Sequence, residues 1–168
     1  VIEYTAPLLI LAYWRLRGRH VGLPLWAAGL LTLAGCYFVV GAYDAQLRQV
    51  NAVGALLAGL DAVILAAYFL LAERLVRRYS SWALLCAGFA AAALAWCIVR
   101  PPWLLPWGEL RGDLGLYVIG VVFVATVIPY LFSVGAVRLI PAARVGLTST
   151  AEPVIAAISA WLLIGESL

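Results

Sequence analysis

Six long apolar segments alternate with short polar or arginine-containing breaks along this chain. An α-helix needs roughly 20 apolar residues to cross a bilayer, and all the segments except the shorter first one approach that length. Because the breaks are short, the segments are predicted to form one helical bundle. The six predicted spans are 1–14, 22–42, 52–73, 80–99, 114–135 and 143–164.

Composition shows which solvent surrounds this bundle. Hydrophobic residues make up 66% of the 168 positions and charged residues 11%, and the mean hydropathy is +1.05. A soluble domain of this size cannot bury so much apolar surface. We therefore predict an all-α polytopic membrane protein whose first partner is membrane lipid.

The sequence gives little indication of metal binding, nucleic-acid binding or catalysis. The three cysteines, Cys36, Cys86 and Cys97, show no metal or redox spacing, and the chain has one histidine. We therefore expect no metal site and no cofactor. The net charge of +3 comes from arginines at span ends, which argues against a nucleic-acid surface. The sequence contains no HExxH, GxSxG or P-loop motif, so we predict that the protein is not an enzyme.

The arginines predict an orientation. Three loops, at 15–21, 74–79 and 136–144, hold eight of the eleven arginines, and the alternate loops hold the other three. Because cytoplasmic loops are enriched in arginine and lysine, these three loops are predicted to be cytoplasmic. All seven tryptophans fall at or beyond predicted span ends, as in an aromatic belt. We expect a multi-pass protein of a bacterial inner (cell) membrane.

The last predicted span contains an acid next to a proline, Glu152-Pro153. An acidic side chain inside a membrane helix costs about 2.5–3.5 kcal/mol at the helix centre. A proline removes a helical hydrogen bond and kinks the span. An ionisable group inside a membrane is by default a functional-site hypothesis. The chain begins with a related pattern, Glu3 to Pro7, so the feature occurs twice.

Further polar side chains recur at helical spacing. Thr and Ser in membrane helices more often bond their own backbone than a ligand, Glu152 would also serve as a structural acceptor, and Asp61 could be satisfied by a tyrosine across the bundle. The candidate cavity-lining residues are Glu3, Tyr4, Asp61, Tyr68, Thr126, Tyr130, Thr148, Glu152 and Ser159, with Pro7, Pro129 and Pro153 as helix kinks.

The stretch from Val127 to Glu166, VIPYLFSVGAVRLIPAARVGLTSTAEPVIAAISAWLLIGE, resembles the end of an EamA domain of the drug/metabolite transporter superfamily. Residues 52–78 are similar to the first helix of the same repeat. Residues 1–42 are similar to the last two helices of the preceding repeat, with Glu3 to Pro7 as the counterpart of Glu152-Pro153. The resemblance thus extends over essentially the whole chain.

The resemblance implies a ten-helix bundle of two inverted five-helix repeats, of which this chain would be helices four to nine. Residues 1–43 would end the first repeat, and residues 52–168 would be the second repeat without its last helix. Inverted repeats need corresponding helices in opposite orientation, as the arginines predict for the two acid-proline helices.

The function implied is secondary transport: export of small metabolites, such as amino acids, through a central cavity lined by 52–73, 114–135 and 143–164, with 1–14 opposite. Glu152 would carry protons, bind substrate or brace the kink. A different hypothesis is a non-transporting membrane scaffold or a subunit of a lipid-modifying complex. No oligomeric state follows from the residues.

Overall fold

Helices account for all the regular structure in the computed structural model, which describes residues 2–39, 51–108, 110 and 112–165. Short 3-10 turns cover Glu3–Thr5 and Pro102–Leu104, and a π-helical stretch covers Val121–Val127. The eight α-helices of the described residues are α1 (Ala6–Leu16), α2 (Leu23–Val39), α3 (Ala52–Leu75), α4 (Ser81–Val99), α5 (Asp113–Gly120), α6 (Ile128–Leu139), α7 (Ala142–Ser149) and α8 (Glu152–Ile164).

Four helical stretches are long and apolar enough to cross a membrane. They are Ala52–Leu75, Ser81–Val99, Asp113–Leu139 and Ala142–Leu163, and a shorter apolar helix covers Leu23–Phe38. These stretches confirm the predicted all-α polytopic membrane protein. Residues 40–42 of the second predicted span lie outside the described residues.

The fifth predicted span, 114–135, is too short at its C-terminal end. The helix continues to Leu139, so Arg138 lies in its last turn and not in a loop. The helix ends two residues before Pro141, because a proline disfavours the helical conformation of the residue that precedes it. A cation in the last helical turn also interacts favourably with the helix dipole.

The chain divides into two compact units, the first formed by residues 1–71 and 140–168 and the second by residues 72–139. In the first unit, α1 packs against α2 and α7, and α2 also contacts α7 and α8. Ile10 and Leu11 of α1 are fully buried, as are Ala142 and Ala143 of α7. Small residues on α7 therefore allow α1 to approach it closely, as is common in membrane helix packing.

Within the second unit, α4 packs against α6. Phe89 of α4 meets Tyr130 of α6 edge to face, with ring centroids 5.9 Å apart. Val134 and Val137 of α6 and Leu85 of α4 are the buried apolar residues of these two helices. Most of the remaining side chains of α4 are exposed and apolar, as expected of a helix whose solvent is lipid.

Candidate functional site

The acid-proline pair lies at a break between two helices. α7 ends at Ser149 and α8 begins at Glu152, with Thr150 and Ala151 in between. Pro153 is in the first turn of α8, where a backbone N–H has no helical partner in any case, so the proline removes no hydrogen bond there. Glu152 is in the same turn, where a negative charge is favoured by the helix dipole. The break thus lowers the free-energy cost that the sequence predicts for an acid and a proline inside a membrane helix.

The backbone at the break is hydrogen-bonded to other residues of the first unit. Thr150 is 4% exposed, and its hydroxyl donates to the Leu147 carbonyl. The Thr150 carbonyl in turn accepts from the Cys36 thiol of α2, at 3.7 Å. A thiol is a weak donor, but here it satisfies a carbonyl that the interrupted helix leaves without a regular partner. The break is therefore a packed part of the fold.

An open groove of about 380 Å³ lies beside this break. It is lined by Thr148 and Ser149 from α7 and by Glu152, Ile155 and Ala156 from α8. The Thr148 hydroxyl donates to the Arg144 carbonyl at 3.0 Å, and the Ser149 hydroxyl donates to the Val145 carbonyl at 3.0 Å. These bonds orient both hydroxyl oxygens while leaving lone pairs to accept from a ligand. The groove therefore combines one carboxylate, two hydroxyls and an apolar wall.

The first acid-proline pattern is built in a similar way. The 3-10 turn Glu3–Thr5 precedes α1, and Pro7 lies in the first turn of α1. Tyr4 is half-buried, and the carboxylates of Glu152 and Glu3 both lie within electrostatic range of its phenol. The fold therefore brings Tyr4 of the first pattern near the carboxylate of the second, although 148 residues separate them in the chain.

The remaining candidates of the first unit lie apart from this groove. Asp61 is exposed on α3, at the edge of the buried stripe that includes Ala62 and Ala66. Tyr68 is half-buried and meets Phe69 edge to face, with ring centroids 5.5 Å apart. Ser159 is half-buried on α8, and it is not among the residues that line the groove.

In the second unit, Thr126 lies in the π-helical stretch that precedes α6. Its hydroxyl donates to the Val121 carbonyl at 3.0 Å, five residues back, which matches the wider turn of a π-helix. Pro129 follows in the first turn of α6. Prolines and π-helical turns are both positions at which helices kink, and here they lie next to each other in the chain. Tyr130 comes next and is 43% exposed.

Two residues near the break were missed at the level of sequence. Ser149 lines the groove, and its spacing of three residues from Glu152 is the signal that would have identified it. Cys36 lies in the second predicted span and is not among the candidate cavity-lining residues, yet it is 2% exposed and bonds to the break. No local pattern indicates that contact, because 114 residues separate the two partners.

No group of three or more histidine, cysteine, aspartate or glutamate side chains that could hold a metal ion occurs within the described part of the chain. The polar chemistry of the groove rests on oxygen atoms alone. Its single carboxylate and two hydroxyls are suited to hydrogen bonding with a small molecule.

Several helices of membrane-spanning length and a polar groove at an interrupted helix are features that membrane transport proteins also have. The model of the EamA-like transporter family matches residues 52–168, and the chain belongs to this family within the drug/metabolite transporter superfamily. A curated relative is the uncharacterized transporter YcbK of Bacillus subtilis (strain 168), 26% identical over 174 residues. The match covers 100% of this chain but 56% of the relative, so the chain spans little more than half its length. No solved structure matches.

Proposed function

We propose that this chain forms part of a secondary transporter that exports small polar metabolites, such as amino acids. The groove at the α7–α8 break would be its substrate-binding region. The observation that carries the proposal is that Glu152, Thr148 and Ser149 converge on one groove where a membrane helix is interrupted. Transporter sites form at such interruptions, because freed backbone groups and buried polar side chains can coordinate a substrate there.

The second acid-proline pattern supports the same proposal. In transporters built from inverted repeats, corresponding interrupted helices from the two repeats meet near the substrate. We propose that α1 and α8 correspond in this way, and the position of Tyr4 within electrostatic range of Glu152 is consistent with it. Glu3 would add a second carboxylate beside Tyr4.

The other polar candidates would form the remainder of the substrate pathway. Tyrosines provide an apolar face and a hydroxyl, whereas threonine and serine provide hydrogen bonds. Coupling to protons would require a carboxylate that gains and loses a proton during the cycle. We assign this pathway to Asp61, Tyr68, Thr126, Tyr130 and Ser159, and proton coupling to Glu152 or Asp61.

Counterflow in liposomes tests the proposal. The full-length protein is reconstituted, and exchange of a panel of radiolabelled amino acids is measured with and without a proton gradient. We expect exchange of at least one of them, and a fall of about tenfold or more in Glu152→Gln, because hydrogen bonds to charged groups contribute about 1.5–3 kcal/mol. Glutamine keeps the shape of the side chain and removes its charge.

Asp113→Asn is the matched control, because Asp113 is an exposed acid at the start of α5 and belongs to no candidate site. Its exchange rate is expected to equal that of the unmodified protein. Equal rates in Glu152→Gln and the unmodified protein would remove Glu152 from the binding region. Exchange that is independent of the gradient would remove the proton-carrying role, and no exchange of any compound would favour the scaffold hypothesis.

A further inference from the structure

The side chains that line the groove offer hydrogen-bond acceptors and no donors. Thr148 and Ser149 each have one hydroxyl hydrogen, and both hydrogens are donated to carbonyls of α7. The third polar side chain is Glu152, whose ionised carboxylate accepts hydrogen bonds and donates none. Ile155 and Ala156 have no polar side-chain atoms. A ligand that fits this lining must therefore supply the donors itself.

The backbone of the break adds few donors to this set. Pro153 has no N–H, so the first turn of α8 presents one donor fewer than an ordinary helix start. The Ile155 N–H is bonded to the Ala151 carbonyl at 3.0 Å, and the Ala151 N–H is bonded to the Thr148 carbonyl at 3.1 Å. With Pro153 lacking an N–H and the Ala151 N–H already bonded, the helix start presents a shorter row of free N–H groups than the helix starts that bind anions elsewhere.

The charge of the groove favours the same kind of ligand. Across the described ranges, no ion pair joins Glu152 to an arginine, and the polar group that lies within electrostatic range of it, Tyr4, is a phenol and not a cation. An isolated carboxylate in a membrane protein is costly unless a cation compensates it. Arg144 lies on the preceding turn of α7, and its backbone carbonyl accepts the hydrogen bond from the Thr148 hydroxyl.

We propose that the groove binds the protonated amino group of a small aliphatic amine. The ammonium group carries three donors, which match the Glu152 carboxylate and the hydroxyl oxygens of Thr148 and Ser149. The aliphatic part would lie against Ile155 and Ala156. A carboxylate on the ligand would find no side-chain donor in the groove, so a simple amine is preferred to the amino acid with the same side chain.

This inference rests on the proposed function, because it narrows the substrate of the same groove. It selects amines from the wider class of small polar metabolites. Leucine and 3-methylbutylamine form a suitable pair of probes, since they share the same aliphatic group and differ in the carboxylate. Any difference between them therefore reports on the carboxylate alone.

Two measurements on the full-length protein test the inference: ligand-induced thermal stabilisation in detergent, and inhibition of counterflow in liposomes. We expect 3-methylbutylamine to bind about tenfold or more tightly than leucine. The leucine carboxylate would be left unpaired in the groove, and one unpaired charged group lowers affinity by about that factor. Glu152→Gln is expected to abolish the preference, Glu152→Asp to restore much of it, and Ser149→Ala to weaken binding of the amine several-fold.

The outcomes distinguish failure of the amine-binding inference from failure of the proposed transport function. Amine binding that requires Glu152, without any counterflow, supports this inference and overturns the transport function. Counterflow in which leucine competes as well as the amine overturns this inference and leaves the transport function standing. If Glu152→Gln keeps both the binding of the amine and the preference for the amine over leucine, the assignment of the site to this groove is overturned. Absence of binding and of counterflow for both probes overturns both proposals.

Discussion

Single residues decide how the first described helix ends. Gly18 has a φ of +74°, in the left-handed region that favours glycine. The Arg19 N–H bonds to the Trp14 carbonyl at 3.0 Å and the Gly18 N–H bonds to the Arg15 carbonyl at 3.1 Å, which is the Schellman arrangement of a helix C-terminus. This reversal places the Arg19 guanidinium over the Trp14 ring, 5.0 Å from its centroid. A cation–π contact at an exposed site contributes about 0.5–1 kcal/mol.

Replacing Gly18 tests this ending. In Gly18→Ala the added Cβ would meet no atom within 4 Å, so the cost comes from the backbone conformation alone. We expect a loss of about 1–2 kcal/mol, the usual cost of a left-handed conformation for a residue with a Cβ. The measurement is the free energy of unfolding in detergent micelles.

Gly22→Ala is the control, because Gly22 lies in the same connection, has no positive φ, and its added Cβ would make an ordinary 3.5 Å contact with Pro24. Its stability is expected to stay within about 0.5 kcal/mol of the unmodified chain. Equal losses in the two variants would show that the left-handed position does not determine the ending of α1.

Residue identity also explains why the acid-proline pairs are tolerated. Sequence reasoning treats Glu152-Pro153 as an expensive pair inside a continuous span. The structure starts a helix there, and both residues suit the first turn of a helix. The pattern of hydrophobic residues could not show this, because the apolar run continues across the break without interruption.

At the scale of helices, the contact between α1 and α7 depends on the absence of a side chain. A Cβ added at Gly146 of α7 would lie 3.3 Å from Pro7 Cγ and 3.7 Å from Pro7 Cβ. The pyrrolidine ring is rigid, so the two helices would have to separate by a few tenths of an ångström. Close approach at small residues is how membrane helices gain van der Waals contact.

Gly146→Ala is therefore expected to destabilise the protein, by about 1–3 kcal/mol if the packing cannot relax. A shift of the thermal unfolding midpoint in detergent measures the effect. Gly59→Ala is the control, since Gly59 lies inside α3 and an added Cβ there would meet nothing within 4 Å. If Gly146→Ala is as stable as Gly59→Ala, α1 and α7 do not pack through this position.

Gly29 shows why a short distance alone does not decide the cost. A Cβ at Gly29 of α2 would lie 2.6 Å from Leu8 Cδ2, closer than the approach at Gly146. The atom it meets is the end of a flexible leucine side chain, which can change rotamer. The rigid proline at the α1–α7 contact offers no such adjustment.

At the scale of the whole molecule, the orientation in the membrane remains a prediction from the arginines. It predicts that a cysteine replacing Arg77 faces the cytoplasm and that one replacing Gly108 faces the opposite side. Both positions are exposed and lie outside the long helices. In a background without the native cysteines, we expect an impermeant maleimide to label Gly108→Cys in intact cells and Arg77→Cys only after permeabilisation.

The cysteine-free background is the control for labelling of other groups. Labelling of Arg77→Cys in intact cells, with protection of Gly108→Cys, would reverse the predicted orientation. Labelling of both in intact cells would contradict the assignment of the intervening helix α4 (Ser81–Val99) as a membrane span. The fold itself does not show which loops face the cytoplasm, so a labelling measurement is needed.

The sequence by itself determined the class of protein and most of its helices. Long apolar runs make crossing a bilayer favourable whatever the neighbouring helices are, so span positions are a local property of the chain. The family resemblance is likewise carried by local motifs, and the family model confirms it for residues 52–168. The division into two inverted repeats stays a prediction.

Only the tertiary structure decided what the polar residues do together. It joined Thr148, Ser149 and Glu152 in one groove and brought Tyr4 near Glu152, whereas Ser159, another predicted cavity-lining residue of the last span, lies elsewhere on α8. The reason is physical: a helical stripe predicts which side chains share a face only while the helix is continuous. The regular helix is interrupted at Thr150–Ala151, and contacts between distant helices then determine which side chains meet.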